Sequence, residues 1–563
     1  MKPCLRLILM LGFLIMPVCL AAAQDDSLEG LLRQRFENVA PKNNPRVVGC
    51  DLSSLYILPR LYQQRDYRPI WISKERIDQL ITAIQDTYLE GLNPQDYHLS
   101  EIQELIATRA YHELLGDDQA LTLELLLTDA YIRLAHHSSC GKEDPLTFHP
   151  QWNFNRTIFG LDPITLLAES LDETSFVRSI NNWKIDHPFY ERLKNALARY
   201  RSLRDGGGWK RIPDGPTLKK GMLGPRVIAL RERLSQEGDL ASTAPHSAGF
   251  DQELEQAVMR FQKRHAIKPD GEVGQGTLKA LNVPLEDKID QIRVNLERSR
   301  WVLSNLGDRY VLVDIAGYRV FYLKDDAIVW STRAQVGKPY RDTPVLRSRI
   351  EALELNPTWT VPPTILNNDV IPAVKADPRY LKKKHLVIID AQERAVNPDS
   401  INWSLFPGRV FPYKIRQSPG PDNPLGRIKI LFPNKYMVYL HGTPSMELFE
   451  HQERALSSGC IRLEKPFELA EQLLDDPVRW NWESLMRAVE SGKTQRIVLP
   501  QPITILLLYW TVEVDDQGVV YFKQDPYHRD PAVLAGLGRD ADIRFHGSGV
   551  NSGAGLHVLP SAF

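Results

Sequence analysis

The stretch from Tyr439 to Leu463 holds the residues best suited to chemistry, Tyr-Leu-His-Gly-Thr-Pro … Ser-Ser-Gly-Cys-Ile-Arg-Leu. It puts His441 and Cys460 in one short segment. A thiol is a useful nucleophile as its thiolate, and a neighbouring imidazole can take the proton and hold the charge. Gly459, just before the cysteine, lets the main chain approach a substrate carbonyl, where N–H groups can hold an oxyanion. The spacing therefore permits a Cys–His acyl-transfer site. It also permits a buried structural cysteine beside an unrelated histidine, since one Cys with one His nearby is a weak signal.

The elements around the pair must hold it. Tyr436, Val438 and Leu440 alternate with other residues, so Lys435 to Leu440 reads as a strand leading into His441. Gly442 and Pro444 end it. A loop with a short helical piece, Met446 to Ala455, brings the chain back to Ser457-Ser458-Gly459-Cys460, and a helix is expected from Pro466 to Leu474. Upstream, Tyr310–Asp314, Tyr318–Tyr322 and Ile328–Thr332 alternate and are rich in β-formers. Downstream, Arg496–Pro500, Ile503–Tyr509 and Val519–Phe522 read as further strands. Between them, about 365 to 420 is too long for a plain loop and is expected to be functional or a subdomain.

The chain has 563 residues, enough for roughly three or four domains. A hydrophobic content of 43% and a charged content of 25% are those of a globular protein. A net charge of −1, with no basic run beyond Lys382-Lys383-Lys384, argues against nucleic acid as a partner. Residues 1–23 have the form of a secretory signal peptide: Lys2 and Arg6, an apolar Leu7–Leu20, then Ala21-Ala22-Ala23. Export to the periplasm is the expectation, with an uncleaved inner-membrane anchor as the alternative. Cleavage leaves Cys50, Cys140 and Cys460. In an oxidising compartment a Cys50–Cys140 bridge with Cys460 as the reactive thiol is expected; three unbridged, buried thiols are the other possibility.

The remaining units follow in order. Residues 24–210 are mainly helical, with apolar residues at helical spacing over Ala120–Ala135. His136-His137-x-x-Cys140 has metal-like spacing but lacks further ligands, and reads as a helix end. Residues 211–285 hold three short helices, punctuated by Gly224-Pro225, Asp270-Gly271 and Gly274. Residues 286–305 form a linker helix, 306–535 the β-rich unit, and 536–563 a Gly-rich tail with no assigned role.

His441-Gly442 followed by Ser457-Ser458-Gly459-Cys460-Ile461-Arg462 resembles the L,D-transpeptidase (YkuD-type) catalytic domain. Ser458 stands where most members carry a second histidine; large periplasmic members that build 3–3 cross-links have Ser-Ser-Gly-Cys. Leu55, Tyr62, Tyr67 and Trp71 resemble the helical scaffold of those large enzymes, and residues 211–285 resemble the three-helix peptidoglycan-binding module. The fold class implied is multidomain α+β, with a helical N-terminal scaffold, a peptidoglycan-binding domain and a β-rich catalytic domain carrying a cap. The resemblance makes Cys460 the nucleophile, His441 the general base and acid, and the Gly442 carbonyl the group that orients its ring. Gly459 and Cys460 N–H groups are candidates for the oxyanion. Arg462, Ser458, Tyr439, Trp359 and Arg416 are candidates for the substrate side. No cofactor and no metal is implied; a zinc site from His441, His451 and Cys460 is the disfavoured alternative. The implied partners are peptidoglycan tetrapeptide stems, as donor and acceptor, and other wall synthases. An L,D-carboxypeptidase, a lipoprotein-anchoring transpeptidase and a non-catalytic wall-binding scaffold are the competing functions.

Overall fold

The structure is a computed structural model that describes residues 27–539 and 543, apart from 38–45, 48–49, 55–56, 112–116, 151, 155–161, 242–247, 304–305 and 407–409. The expected signal segment, Leu55 and most of the tail lie outside the described residues. So does the side chain of Cys50, and with it the expected bridge; Cys140 itself is buried.

The scaffold is helical, as its periodicity requires. Its main helices are α1 (Asp117–Cys140), whose last turn holds His136 and His137, and α2 (Pro188–Asp205). The next unit has α3 (Pro225–Glu237), α4 (Gln252–Arg264) and α5 (Gln275–Leu281) around Leu230, Leu234, Leu254, Val258 and Phe261. Each boundary has a cause. Pro225 fits the first turn of α3, where its missing N–H costs nothing, and Gly238 ends that helix at φ +85°. The Asp251 carboxylate caps α4 by accepting from Leu254 N at 2.9 Å.

Helix α6 (Leu285–Val302) differs from the expected linker. It is a beam buried from Val294 to Val302, packed against α2 and α1. The polar residues of its buried half have partners. Asn295 donates to Thr511 Oγ1 at 2.8 Å, Arg298 pairs with Asp530, and Arg300 donates to Glu297 at 2.9 Å and to the Tyr190 hydroxyl at 3.0 Å. Buried charges satisfied in this way are tolerated where unpaired ones would not be.

The β-rich unit is a nine-stranded sheet. In chain order its strands begin with β1 (Arg309–Asp314), β2 (Arg319–Lys324), β3 (Ala327–Gly337) and β4 (Leu346–Leu355). The chain then leaves through the cap strands β5 (Trp359–Thr360), β6 (Leu386–Ile389), β7 (Ala395–Val396) and β8 (Lys414–Gln417). It returns as β9 (Ile428–Leu431), β10 (Leu440–His441), β11 (Ala455–Ser457), β12 (Ile461–Leu463) and β13 (Gln495–Leu508). The spatial order is β11-β3-β12-β10-β9-β4-β13-β1-β2. Strand β3 pairs with β2 through its first half and with β12 near its end, so the sheet closes on itself. Helices α7 (Pro466–Leu474) and α8 (Trp482–Glu490) cover its apolar face.

The cap is a subdomain of its own: a four-stranded sheet, β5-β8-β6-β7, with short helices and a separate core of Leu366, Ile371, Val374, Ile388 and Ile415. It joins the main sheet where β4 ends and β9 begins. After β13 come the paired β14 (Val512–Val514) and β15 (Val520–Phe522), then α9 (Asp530–Leu537). The described residues after α9's start pack on the scaffold. Leu537 and Ile543 are buried in the scaffold core, and Lys142 donates to the Leu537 carbonyl at 2.9 Å.

Candidate active site

Two neighbouring strands present the pair. β10 and β12 run parallel, with Leu440 opposite Ile461 and His441 opposite Arg462. Ile461 N donates to the Tyr439 carbonyl at 3.0 Å, which sets Cys460 beside Tyr439. Side chains at matched and alternate positions share a face. Cys460, Arg462, Tyr439 and His441 therefore stand on one face, opposite the buried Leu440, Ile461 and Leu463.

The strand expected over Lys435–Leu440 is only Leu440–His441. Asn434 organises the rest as a turn: its side-chain oxygen accepts from Tyr436 N and Val438 N, and its amide donates to the Val438 carbonyl. Met437 sits at φ +55° within that turn. The alternation of Tyr436 and Val438 came from a local side-chain network that imitates a strand pattern.

His441 is buried, and its Nδ1 lies 2.5 Å from the Gly442 carbonyl. A carbonyl only accepts, so Nδ1 carries the proton and Nε2 is left as the acceptor. Burial, then the Arg462 guanidinium and the Lys429 ammonium, push the imidazole down to about 3, against the pull of the Gly442 carbonyl. The ring is neutral at pH 7. The Gly442 main chain is itself supported by close packing. Gly426, at φ +64°, lies where a Cβ would come within 2.6 Å of the Gly442 carbonyl carbon.

Cys460 is half-buried, with Sγ 3.7 Å from the Met437 carbonyl. Burial pushes the thiol up; a main-chain hydrogen bond at Tyr439 and the Lys429 and Arg462 charges pull it back in part. The resting pair is therefore thiol and neutral imidazole, not an ion pair. Iodoacetamide alkylation of Cys460, followed by intact-protein mass, should rise about tenfold per pH unit from 7 to 9. A rate already flat from pH 5 would mean a preformed thiolate.

The remaining candidates separate. Gly459, at φ +111°, permits the bend before Cys460, but its N–H donates to Ser457 Oγ at 3.1 Å. The two N–H donors expected for an oxyanion thus reduce to that of Cys460. Arg462 is half-buried; its Nη1 donates to Gln335 Oε1 at 3.2 Å, and its buried Nε has no partner. Ser458 is exposed and accepts from Arg341 at 3.0 Å, while Arg341 also pairs with Asp369 of the cap at 2.6 Å. Trp359 packs against the cap core. Arg416 is held inside the cap by Glu393, which occupies the guanidinium fork proposed for a substrate carboxylate. His451 is exposed, and among the described residues no three His, Cys, Asp or Glu gather as metal ligands.

Lys429, Glu354, Arg496 and Gln335 stand on the same face as the pair, by register: Lys429 is opposite His441 and Glu354, Arg496 opposite Glu354, and Gln335 opposite Arg462. Sequence reasoning missed them as site residues. The signal available was a single charge inside an apolar alternation, as in Ile428-Lys429-Ile430 and Leu353-Glu354-Leu355, but strand order is what aligns them.

Residues 308–479 match the family model described as L,D-transpeptidase catalytic domain. This chain carries an L,D-transpeptidase catalytic domain. Residues 224–281 match the model described as "Putative peptidoglycan binding domain", and residues 57–197 the scaffold domain. A Haemophilus influenzae protein described as a "Putative L,D-transpeptidase" is 35% identical over 210 residues, covering 37% of this chain and 42% of that protein. The match thus spans less than half of that relative's length. Among solved structures, the L,D-transpeptidase of Stackebrandtia nassauensis is 14% identical, with 52% of this chain and 94% of that one covered and a TM-score of 0.21. That of Mycobacterium smegmatis is 13% identical over 36% of this chain and 58% of that one, with a TM-score of 0.16. Scores this low carry no further argument. The transpeptidase match encloses His441, Cys460, Lys429 and the whole cap.

Proposed function

We propose that the chain is an exported cysteine acyltransferase that makes 3–3 cross-links between peptidoglycan stems. The observation that carries this is the placement of Cys460 and His441 on adjacent parallel strands, with Nδ1 anchored by the Gly442 carbonyl. His441 Nε2 takes the thiol proton as Cys460 Sγ attacks the carbonyl at the L-centre of diaminopimelate in a donor tetrapeptide. The Cys460 N–H and the cation of Arg462 face the developing oxyanion. The C–N bond to D-alanine breaks, and His441 returns the proton to the departing amine. A second diaminopimelate amine then attacks the thioester, His441 accepts its proton, and the thiol is regenerated. The docked peptidoglycan-binding unit holds the enzyme on its polymer.

Intact-protein mass spectrometry after incubation with disaccharide-tetrapeptides tests this. The expected result is a thioester adduct on Cys460, with loss of D-alanine and appearance of cross-linked dimers. Tripeptide alone would mean transfer to water, and an amide to a lipoprotein lysine would mean anchoring. Absence of any adduct, from stems or from a carbapenem, would leave a wall-binding scaffold.

A further inference from the structure

The polar face of the sheet continues past His441 in a direction the acyl transfer does not use. One row runs Arg462, His441, Lys429, Glu354, Arg496 across β12, β10, β9, β4 and β13. The opposite face of these strands is apolar: Ile430, Leu353 and Ile497 are buried in the core under α7 and α8. On the row itself Lys429 and Glu354 are half-buried and Arg496 is exposed. Val498, the next residue on that face of β13, is 69% exposed, so the row is open at this end.

Lys429, Glu354 and Arg496 form no salt bridge and no side-chain hydrogen bond among the described residues. Lys429 Nζ lies 3.9 Å over the Tyr439 ring instead, and burial lowers its pKa although Glu354 and Cys460 pull it up. Other partly buried charges of this fold do find an ion partner, as Arg341, Arg333 and Lys523 do. Three that form no ion pair and lie side by side, with Lys429 within electrostatic reach of the Cys460 thiol, are poised for a ligand. The order of signs is specific: one carboxylate flanked by two cations, on strands roughly 5 Å apart. That spacing suits a small group carrying both charges.

We propose that Lys429, Glu354 and Arg496 form a subsite for an α-amino-acid end group, an ammonium and a carboxylate on one carbon. Glu354 takes the ammonium, and the flanking cations take the carboxylate. The inference rests on the acyl-transfer reading, in which the diaminopimelate side arm ends in this group. It names the determinant that distinguishes diaminopimelate from lysine, whose side arm has the ammonium alone. The arm can belong to the donor stem or the acceptor stem, since both carry it.

Binding is measured first, by calorimetry on the full chain with Cys460→Ala, so that no turnover is needed. A disaccharide-tetrapeptide with diaminopimelate should bind about tenfold tighter than its lysine counterpart. Arg496→Gln should erase that preference, and Glu354→Gln should weaken both ligands. A preference that survives Arg496→Gln, affinities untouched by Glu354→Gln, or no preference in the parent overturns the subsite. With Cys460 present, time-resolved mass spectrometry separates the sources. Slower adduct formation in Glu354→Gln assigns the donor arm, and normal formation with slower resolution by a second stem assigns the acceptor arm. A carbapenem adduct on the wild-type protein reports the thiol chemistry separately. If it fails while the binding preference holds, the catalytic reading falls and the subsite stands.

Discussion

Cys460→Ala should remove all thioester adduct and all dimer formation, with little change in melting temperature. The substitution deletes one half-buried sulfur at a strand entrance; the neighbouring Ile461 and Leu463, which anchor β12 in the core, remain. His441→Gln should be less absolute. It removes the proton acceptor while the thiol stays, so turnover should fall by about 10²–10⁴. Because the resting imidazole is neutral, with its pKa held near 3 by burial and Arg462, the base form is present across the whole neutral range. Loss of turnover on acidifying toward pH 5 would therefore come from the acceptor amine, whose protonated form cannot attack, and not from His441. The check is a comparison of half-reactions. Adduct formation from the donor should stay nearly flat between pH 5 and 7, while its resolution by amine slows as pH falls. A Cys460→Ala protein that still forms dimers would show that the sulfur is not the nucleophile.

Much of this arrangement was legible beforehand because it is local. His-Gly and Ser-Gly-Cys are short motifs, the run Tyr310–Asp314 is rich in β-formers, and Pro466 announces α7 at its first turn. What escaped is non-local. Residues 286–305 read only as a linker helix, because Tyr190, Thr511 and Asp530, which supply partners to its polar residues, come from elements that flank it on both sides in sequence. The closure of the sheet depends on β3 being long enough to serve two neighbours, which alternation alone does not reveal. The row containing Lys429 and Glu354 exists only in the register of five strands. The two separate runs expected at Arg496–Pro500 and Ile503–Tyr509 are one strand, interrupted by a register shift between Val498 and Ile503. In the catalytic motif the error was of the opposite kind: Asn434 builds a turn whose side chains alternate as a strand's would.

Glu237→Ala should destabilise the protein by about 3–5 kcal/mol. Glu237 is the last residue of α3, in the peptidoglycan-binding unit, and is buried. It accepts from Arg264 at 2.6 Å, pairs with Arg233 at 2.8 Å, and accepts from the Tyr200 hydroxyl of α2 at 3.0 Å. Although burial pushes the carboxyl up, Arg264 and Arg233 hold it well below the usual range. Around it Arg233 stacks on Trp209 at 3.6 Å, and Lys288 of α6 lies 3.8 Å over the Phe522 ring of β15. One carboxylate thus ties this unit to the scaffold helix α2. Removing it leaves Asp239 to hold Arg264 and leaves Arg233 buried with no anion. Since the folded pKa is depressed, the contribution is present above the unfolded carboxyl pKa and is lost as pH falls through and below it. The difference between wild type and Glu237→Ala in urea unfolding should accordingly be large at pH 7 and shrink toward pH 3. A pair change, Arg233→Met with Glu237→Leu, should recover much of the loss by replacing the ions with apolar volume. A loss below about 1 kcal/mol at pH 7, or one that does not vary with pH, would show that the carboxylate does not hold the wall-binding unit in place.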